Sequence, residues 1–464
     1  MIHTVYSNSY EVLRAVLLHN IEALAVGPAE TNGQTAPAAE PAQNTQTAPT
    51  TASAAGPAPA AQPAAPAAQP AAEPAKKHPS PHVNRTTSDY LARPEVLGFL
   101  QKLSDEKDIP LEWLKEEVAV ARYSPLSEKY TTPRPKADRK KTPEKNFILY
   151  RRNLINDERI ERGGDFIARN REVLARIERE TGVDPYVVTA IIGIESIYGR
   201  NMGRFRVLDA LMTLSFDYTR RAKYYRSELA SFLDFCYRQG VSPVSVQGSF
   251  AGAMGLGQFM PASLNAYGRD GDGDGMIDIT NSEPDGIASV ANFLKVHGWI
   301  RGEKPLYPVE ADEAIFKATK SGGIKAHTTV GKLLEAGVKP KTEWKLKNDE
   351  PALLVDLPWV RKDDTKGVDY WLGTESFGAI LRYNRSYFYA AAVTMLAYEL
   401  ETRDKGEAPA EKTDAETAKV TAQATGVKPA AAQAAPEVKA DAKTEAKAEA
   451  AAQPQPEAAP QKAS

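Results

Sequence analysis

Apolar residues recur every three or four positions over most of the middle of the chain. Val96, Phe99, Leu100 and Leu103 have the spacing that one buried face of a helix requires. The same spacing indicates further helices, two of them within 205–239, in these segments: 111–122, 165–180, 205–239, 261–267, 286–297 and 377–400.

One helix has clear signals at both ends. Asp184 is a good N-cap, Pro185 suits the first helical position, and Gly199 follows near the end. The residues between them are apolar on nearly every side. A helix of this kind is surrounded by other elements, so we predict a buried central helix.

The pattern changes after Trp299. The short segments TTVGKLL, PALLVDL and VDYWLG are separated by Gly, Pro and Lys. Such runs are typical of strands. We therefore predict a small β-rich insert over residues 301–372.

Both ends of the chain have abnormal composition. Ala, Pro, Gln, Thr and Glu dominate from about Pro28 to Pro81, and Ala, Lys, Glu, Gln and Pro dominate after about Lys405. Chains this poor in branched and aromatic residues do not offset the entropy of folding, so we predict a disordered spacer and tail. The predicted division starts with a short N-terminal segment (1–27), a spacer (28–88) and a helical accessory region (89–146). A catalytic core (147–300) follows, then the β-rich insert (301–372), the rest of the core (373–402) and a tail (403–464).

The net charge, the N-terminal residues and the cysteine count argue against several classes of protein. The formal net charge of −2 argues against a general electrostatic grip on nucleic acid. Residues 11–26 are apolar but interrupted by charges, too broken for a signal-peptide core and too short for a membrane span. No lipid-attachment cysteine follows them, so they indicate an amphipathic helix or a wrongly assigned start. The single cysteine, Cys236, excludes a disulfide framework.

Glu195 is the strongest candidate for catalysis. It lies within the apolar central helix, where Ile191, Ile192 and Tyr198 share its face. Loss of hydration favours the protonated carboxyl group, which is the form that donates a proton to a glycosidic oxygen. A buried structural glutamate explains this helix equally well.

The segment DGDGDGMIDITN indicates a calcium loop. Asp270, Asp272 and Asp274 take positions 1, 3 and 5 of an EF-hand loop, Gly275 the turn, and Met276 the backbone-carbonyl position. Position 12 departs from the pattern, because Asn281 replaces the bidentate glutamate there. Glu283 or Asp285 could supply the missing carboxylate.

Other polar residues lie in Gly-rich or aromatic surroundings. Ser249, Gln258, Tyr383 and Asn384 each suit a local hydrogen bond at least as well as a ligand contact. The aromatic run from Tyr383 to Tyr389 has core spacing, and we favour core over a sugar-stacking surface.

Several motifs follow one another in a single order: GIESIYGRNMGRFRVLDAL, GSFAGAMGLGQFMPAS, DGDGDGMIDI, SVANFLKVHGW and RYNRSYFYAAAV. Together they resemble the lytic murein transglycosylase B family, from about Phe147 to Leu400. The resemblance implies a mainly α fold with a lysozyme-like helical core, an added helical domain, a small β-rich domain and one EF-hand-like calcium loop at 270–285.

The resemblance also implies site residues. The catalytic acid/base falls on Glu195, and the substrate-binding residues fall on Ser249, Gln258, Tyr383 and Asn384. No cofactor for catalysis is implied, only one structural Ca²⁺. Its ligands fall on these residues: Asp270, Asp272, Asp274, Met276 and Asp285.

The implied reaction is non-hydrolytic cleavage of the bond between N-acetylmuramic acid and N-acetylglucosamine in peptidoglycan, which leaves 1,6-anhydro ends. The resemblance further implies that the protein is a monomer and that its partner is the glycan strand. Other cell-wall enzymes are candidate partners. The location is the bacterial cell envelope, in the periplasm.

Two alternatives remain open at this stage. A lysozyme-type hydrolase would need a second carboxylate, for which Asp209 and Asp217 are candidates. A non-catalytic, calcium-stabilised wall-binding protein would leave the buried Glu195 without a role.

Overall fold

The computed structural model describes residues 89–133, 144–319 and 321–406. These residues form a mainly helical fold. The helices, numbered α1 to α15 in chain order, are Pro94–Lys107, Leu111–Ala119, Pro125–Thr131, Phe147–Leu154, Asp157–Arg169, Arg171–Thr181, Pro185–Ser196, Val207–Phe216, Ala222–Gln239, Pro261–Tyr267, Glu283–Val296, Glu313–Ala318, Val330–Glu335, Glu375–Tyr383 and Tyr387–Asp404.

Two antiparallel sheets accompany the helices. The first pairs β1 with β2, placing Phe205 opposite Gly248. The second has five strands in the order β4-β6-β7-β3-β5. The strands β1 to β7 are Phe205–Arg206, Gln247–Gly248, Leu306–Glu310, Thr328–Thr329, Lys339–Pro340, Pro351–Val360 and Lys366–Gly373.

The central helix predicted from the sequence is α7. The Asp184 side chain accepts hydrogen bonds from the backbone N–H groups of Tyr186 and Val187, which confirms the N-cap. All residues from Val187 to Ser196 are buried. Helices α5, α11 and α15 pack on α7, which therefore lies inside the helical part of the fold.

Two segments that the sequence predicts as single helices each form two helices. The segment 165–180 belongs to α5 and α6, because Asn170 leaves the helical conformation and its side chain bonds the Phe166 carbonyl oxygen. The segment 377–400 is interrupted after Tyr383, where Asn384 becomes extended and the Ser386 side chain caps α15.

A small sheet is present after Trp299, but not every segment predicted as a strand belongs to it. PALLVDL and VDYWLG lie in β6 and β7. TTVGKLL was expected to be a strand, and this prediction is wrong beyond its first two residues. The Thr329 side chain accepts a hydrogen bond from the Lys332 N–H and starts helix α13 there.

A continuous hydrophobic cluster runs through the helical part, from Tyr90 in the accessory region to Leu400 in α15. The outer face of the five-stranded sheet has its own cluster around Val309, Leu333 and Leu354. Within the ranges given above, no helix is long and apolar enough to cross a membrane. The disorder predicted for 28–88 and 403–464, and the N-terminal segment 1–27, concern residues outside the described ranges, apart from 403–406.

Candidate active site

Glu195 lies in the last turn of α7 and is 3% exposed. Burial without a charged partner is expensive for a carboxylate, so the protonated form is favoured. Burial raises the pKa of Glu195 to about 7, and a hydrogen bond from Tyr389 partly opposes this increase. Both protonation states of the carboxyl group are therefore accessible near neutral pH.

Tyr389 reaches Glu195 from the first turn of α15. Its hydroxyl donates a hydrogen bond of 2.7 Å to Glu195 Oε1. Tyr389 itself is fully buried, which confirms that this position is core. It also holds the catalytic candidate in one orientation.

Two further tyrosines lie near Glu195. The negative charge of Glu195 contributes to the raised pKa values of Tyr150 and Tyr383, after the larger effect of burial. Tyr383 ends α14, and its hydroxyl donates to the carbonyl oxygen of Gly257 in the Gly-rich segment. Helices α4, α7 and α14 therefore bring their tyrosine and glutamate side chains to one place.

Ser249 lies in a turn directly after β2 and is buried. Its Oγ accepts hydrogen bonds from the backbone N–H groups of Ala251 (3.3 Å) and Ala253 (2.9 Å). Because both bonds use the oxygen as acceptor, the hydroxyl proton remains available for a ligand. The turn needs Gly252, which has a φ of 93°.

The side chains of Gln258 and Asn384 differ in how the fold holds them. Gln258 has a left-handed φ of 48°, and its Nε2 donates to the carbonyl oxygens of Met202 (3.0 Å) and Gly255 (2.9 Å). Its Oε1 is thereby left to accept from a ligand. Asn384 is 3% exposed, and its Oδ1 has no hydrogen-bond partner within the described part of the chain.

The candidates for a second catalytic carboxylate have other partners. Asp217 binds Arg93 at 3.0 Å and accepts from the Tyr90 hydroxyl at 2.7 Å. Asp209 accepts from the backbone N–H of Arg122 at 2.8 Å. Both carboxylates attach the accessory region to α8 or its end, and neither contributes to the pKa of Glu195.

The predicted calcium loop brings three carboxylates together. One oxygen atom of each of Asp270, Asp272 and Asp285 lies within 4.8 Å of the others. Ligand oxygens about 2.4 Å from a central Ca²⁺ are separated by no more than about 4.8 Å, so the cluster fits a calcium ion. Gly275, with a φ of 91°, provides the turn.

The structure distinguishes the two candidates for the late carboxylate. Arg169 and Asn170 both donate hydrogen bonds to the Glu283 carboxylate. The bond from Arg169 Nη2 to Glu283 Oε1 is 2.7 Å long. Asp285 instead accepts from the N–H groups of Gly271 (2.7 Å) and Asp278 (2.6 Å) within the loop. Asp274 and Met276 lie in the same loop but outside the three-carboxylate group.

Tyr150 was not found by reasoning from the sequence, and Tyr389 was assigned only to the core. No local pattern marks Tyr150, because its electrostatic interaction with Glu195 depends on where the fold places α4. Tyr389 lies 194 positions from Glu195 along the chain. Neither contact has a signal in the spacing of one helix.

Residues 92–398 match the family described as transglycosylase SLT domain. The chain is also 34% identical over 325 residues to membrane-bound lytic murein transglycosylase B of Escherichia coli strain K12. That alignment covers 68% of this chain and 86% of the relative.

Solved structures of three transglycosylases are similar to this fold. Soluble lytic transglycosylase SltB1 of Pseudomonas aeruginosa has 36% identity and a TM-score of 0.60, over 68% of this chain and 100% of that one. E. coli Slt35 in complex with calcium has 32% identity and a TM-score of 0.59, over 70% and 99%. P. aeruginosa SltB3 in complex with NAG-anhNAM-pentapeptide has 28% identity and a TM-score of 0.55, over 66% and 78%.

Proposed function

The chain belongs to the transglycosylase SLT domain family, and on that premise we propose how its residues cleave peptidoglycan. The activity is that of a lytic murein transglycosylase. It breaks the bond between N-acetylmuramic acid and N-acetylglucosamine without water and leaves a 1,6-anhydro end. The residue roles below are our proposal.

Glu195 acts first as an acid. Its protonated carboxyl group donates to the oxygen that links the two sugars, and the bond from that oxygen to C1 of the muramyl sugar breaks. The acetamide oxygen of the same sugar assists at C1. The Ser249 hydroxyl proton, which has no acceptor among its recorded partners, donates to this acetamide group.

Glu195 then acts as a base. The carboxylate accepts the proton of the muramyl C6 hydroxyl, and the C6 oxygen closes the ring by bonding to C1. The acid is thereby restored, and no water is consumed. A pKa of about 7 suits both steps, because each protonation state is accessible near neutral pH.

Gln258, Tyr383 and Asn384 are proposed to bind the sugars. The unpaired Oδ1 of the buried Asn384 supports this role, because a buried amide oxygen without a partner is costly unless a ligand completes it. Gln258 offers an oxygen acceptor from a strained backbone, a conformation that is concentrated at functional sites.

The single observation that carries the mechanism is a buried Glu195 without a charged partner in the described part of the chain. Two-carboxylate glycosidases need a second acid beside the bond, and neither Asp209 nor Asp217 is available for that role. We expect Glu195→Gln to abolish turnover while preserving the fold. The matched control is Glu228→Gln, since Glu228 is also buried but accepts from the backbone N–H of Ala262. Near wild-type activity in Glu195→Gln would refute the assignment.

A structural calcium ion in the loop 270–285 is proposed as well. The carboxylate cluster supports it, as does the calcium complex of E. coli Slt35. Asp274 and the Met276 carbonyl oxygen would complete the ligands of Asp270, Asp272 and Asp285. The ion would stabilise the fold and take no part in the chemistry.

We also propose residues 147–300 and 373–402 as the catalytic core, 89–146 as an accessory region and 301–372 as a small β-rich domain. The proposed location is the cell envelope, in the periplasm, and the proposed partner is the glycan strand, bound by a monomer. The name of the E. coli relative, a membrane-bound enzyme, supports the envelope.

A further inference from the structure

The chain leaves helix α7 through a strained turn, immediately after Glu195. Ile197, Tyr198 and Gly199 all have left-handed backbone angles, with φ of 52°, 54° and 85°. This conformation is costly for a β-branched residue such as Ile197. Such strain persists only where surrounding contacts determine it.

The Tyr198 side chain makes part of those contacts. Its hydroxyl donates to the carbonyl oxygen of Arg159 at 3.0 Å. A Cβ atom on Gly193 would lie 2.5 Å from Cζ of this ring, and one on Gly163 would lie 2.5 Å from its hydroxyl oxygen. The ring therefore fills a space between α5 and α7 that exists only because both positions are glycine.

The guanidinium group of Arg159 joins two helix ends. Its Nε donates to the carbonyl oxygen of Gly193 at 2.9 Å. Its Nη1 donates to the carbonyl oxygens of Asn153 and Leu154, each at 3.2 Å. Gly193 lies in the last turn of α7, and Asn153 and Leu154 end α4.

Arg159 is only 7% exposed. Among the described residues, its hydrogen-bond acceptors are all backbone carbonyl oxygens, and no carboxylate pairs with it. A buried cation without a carboxylate is unusual, but here it meets the partial negative charge at the C-terminal ends of two helices. Its position is thus determined by α4 and α7 together.

These two helices carry two residues that interact electrostatically in the site. Tyr150 lies on α4 and Glu195 on α7, two residues after Gly193. We infer that Arg159 is a positioning residue that sets the location of Glu195 relative to Tyr150 by joining the ends of α4 and α7. This inference rests on the proposed role of Glu195. Arg159 touches neither substrate nor reacting atoms and acts through the two helices.

The test measures kcat and KM of the full chain on purified peptidoglycan, by release of anhydro-muropeptides. We expect Arg159→Met to lower kcat about 100-fold, as displacement of a catalytic group by about 1 Å does, with KM changed by no more than about twofold. Arg159→Lys keeps a cation that reaches part of the carbonyl set, so kcat should recover to within about tenfold of wild type. Arg162→Met, one turn further along α5, is the matched control and should leave both constants unchanged.

The outcomes separate the alternatives. The inference would be overturned if Arg159→Lys and Arg159→Met both fold and both keep wild-type kcat. It would also be overturned if these variants raise KM while kcat stays constant. An equal loss in Arg162→Met would indicate a general effect on α5 and would also overturn it. If Arg159→Met does not fold, Arg159→Lys decides, with its melting temperature as the check on folding. A folded Arg159→Lys with kcat lowered several-fold at unchanged KM supports the inference, and one with wild-type kcat overturns it. Absence of anhydro products from the wild type would instead refute the proposed function.

Discussion

The hydroxyl of Tyr389 donates a 2.7 Å hydrogen bond to Oε1 of Glu195, and both residues are buried. This bond stabilises the carboxylate form, while burial stabilises the acid form. The two effects leave the pKa of Glu195 at about 7 instead of higher. Tyr389 therefore adjusts the acidity of the group to which we assign both proton transfers.

Replacing Tyr389 tests this adjustment. In Tyr389→Phe the carboxylate loses its hydrogen bond, so the pKa of Glu195 rises. Turnover requires the protonated acid, and the alkaline limb of the pH–kcat/KM profile should therefore move to higher pH. Tyr387→Phe is the control, because the Tyr387 hydroxyl donates to Gly323 and does not contact Glu195. An alkaline limb that stays in place or moves to lower pH in Tyr389→Phe would contradict this role.

The raised pKa of Glu195 also predicts a pH-dependent stability. The folded protein holds the proton up to about pH 7, whereas the unfolded chain releases it near the ordinary value of 4.5. The contribution of Glu195 is therefore fully present below pH 4.5 and is lost as pH rises through 7. Relative to wild type, Glu195→Gln should gain unfolding free energy on the order of 3 kcal/mol between these limits.

Urea unfolding of both proteins across this pH range measures the difference. A difference that stays constant from pH 4.5 to 7 would show that Glu195 titrates normally in the fold.

Calcium should stabilise the fold through Asp285 and not through Glu283. We expect saturating calcium to raise the melting temperature of the wild type by several degrees, because the ion binds only the native loop. The increase should persist in Glu283→Gln, since Arg169 and Asn170 bind that side chain. It should be lost in Asp285→Asn, which removes one of the three clustered carboxylates. Equal calcium responses in Asp285→Asn and wild type would exclude this ligand set.

The helical parts of the fold could be predicted from the sequence because their determinants are local. Asp184, Pro185 and the apolar run after them define α7 without knowledge of any other element. The break at Asn170 was not predictable, because Asn170 also binds Glu283, 113 positions away. The β-branched residues from Thr328 to Val330 suggest a strand, but the side chain of Thr329 caps a helix that starts at Val330.

The candidate site likewise has some residues that the sequence reveals and others that only the fold reveals. Glu195 stood out because an acid within an apolar helix is visible from spacing alone. Its hydrogen bond from Tyr389 and its electrostatic interaction with Tyr150 depend on how three helices pack, and no spacing in the sequence encodes that packing. Likewise the loop pattern placed the early aspartates but left Glu283 and Asp285 open. The family resemblance assigned Asp285, and the fold places an oxygen of that carboxylate beside Asp270 and Asp272.

Mass analysis of the products tests the central claim most directly, namely that the muramyl C6 hydroxyl, deprotonated by Glu195, attacks C1 in place of water. Purified peptidoglycan is digested with the full chain, and the released muropeptides are weighed. Closure of the ring by the C6 oxygen predicts anhydro-muropeptides, each lighter by one water than the hydrolytic product. Muropeptides that carry only reducing-end muramic acid would contradict it, because water would then have replaced the C6 hydroxyl as the nucleophile.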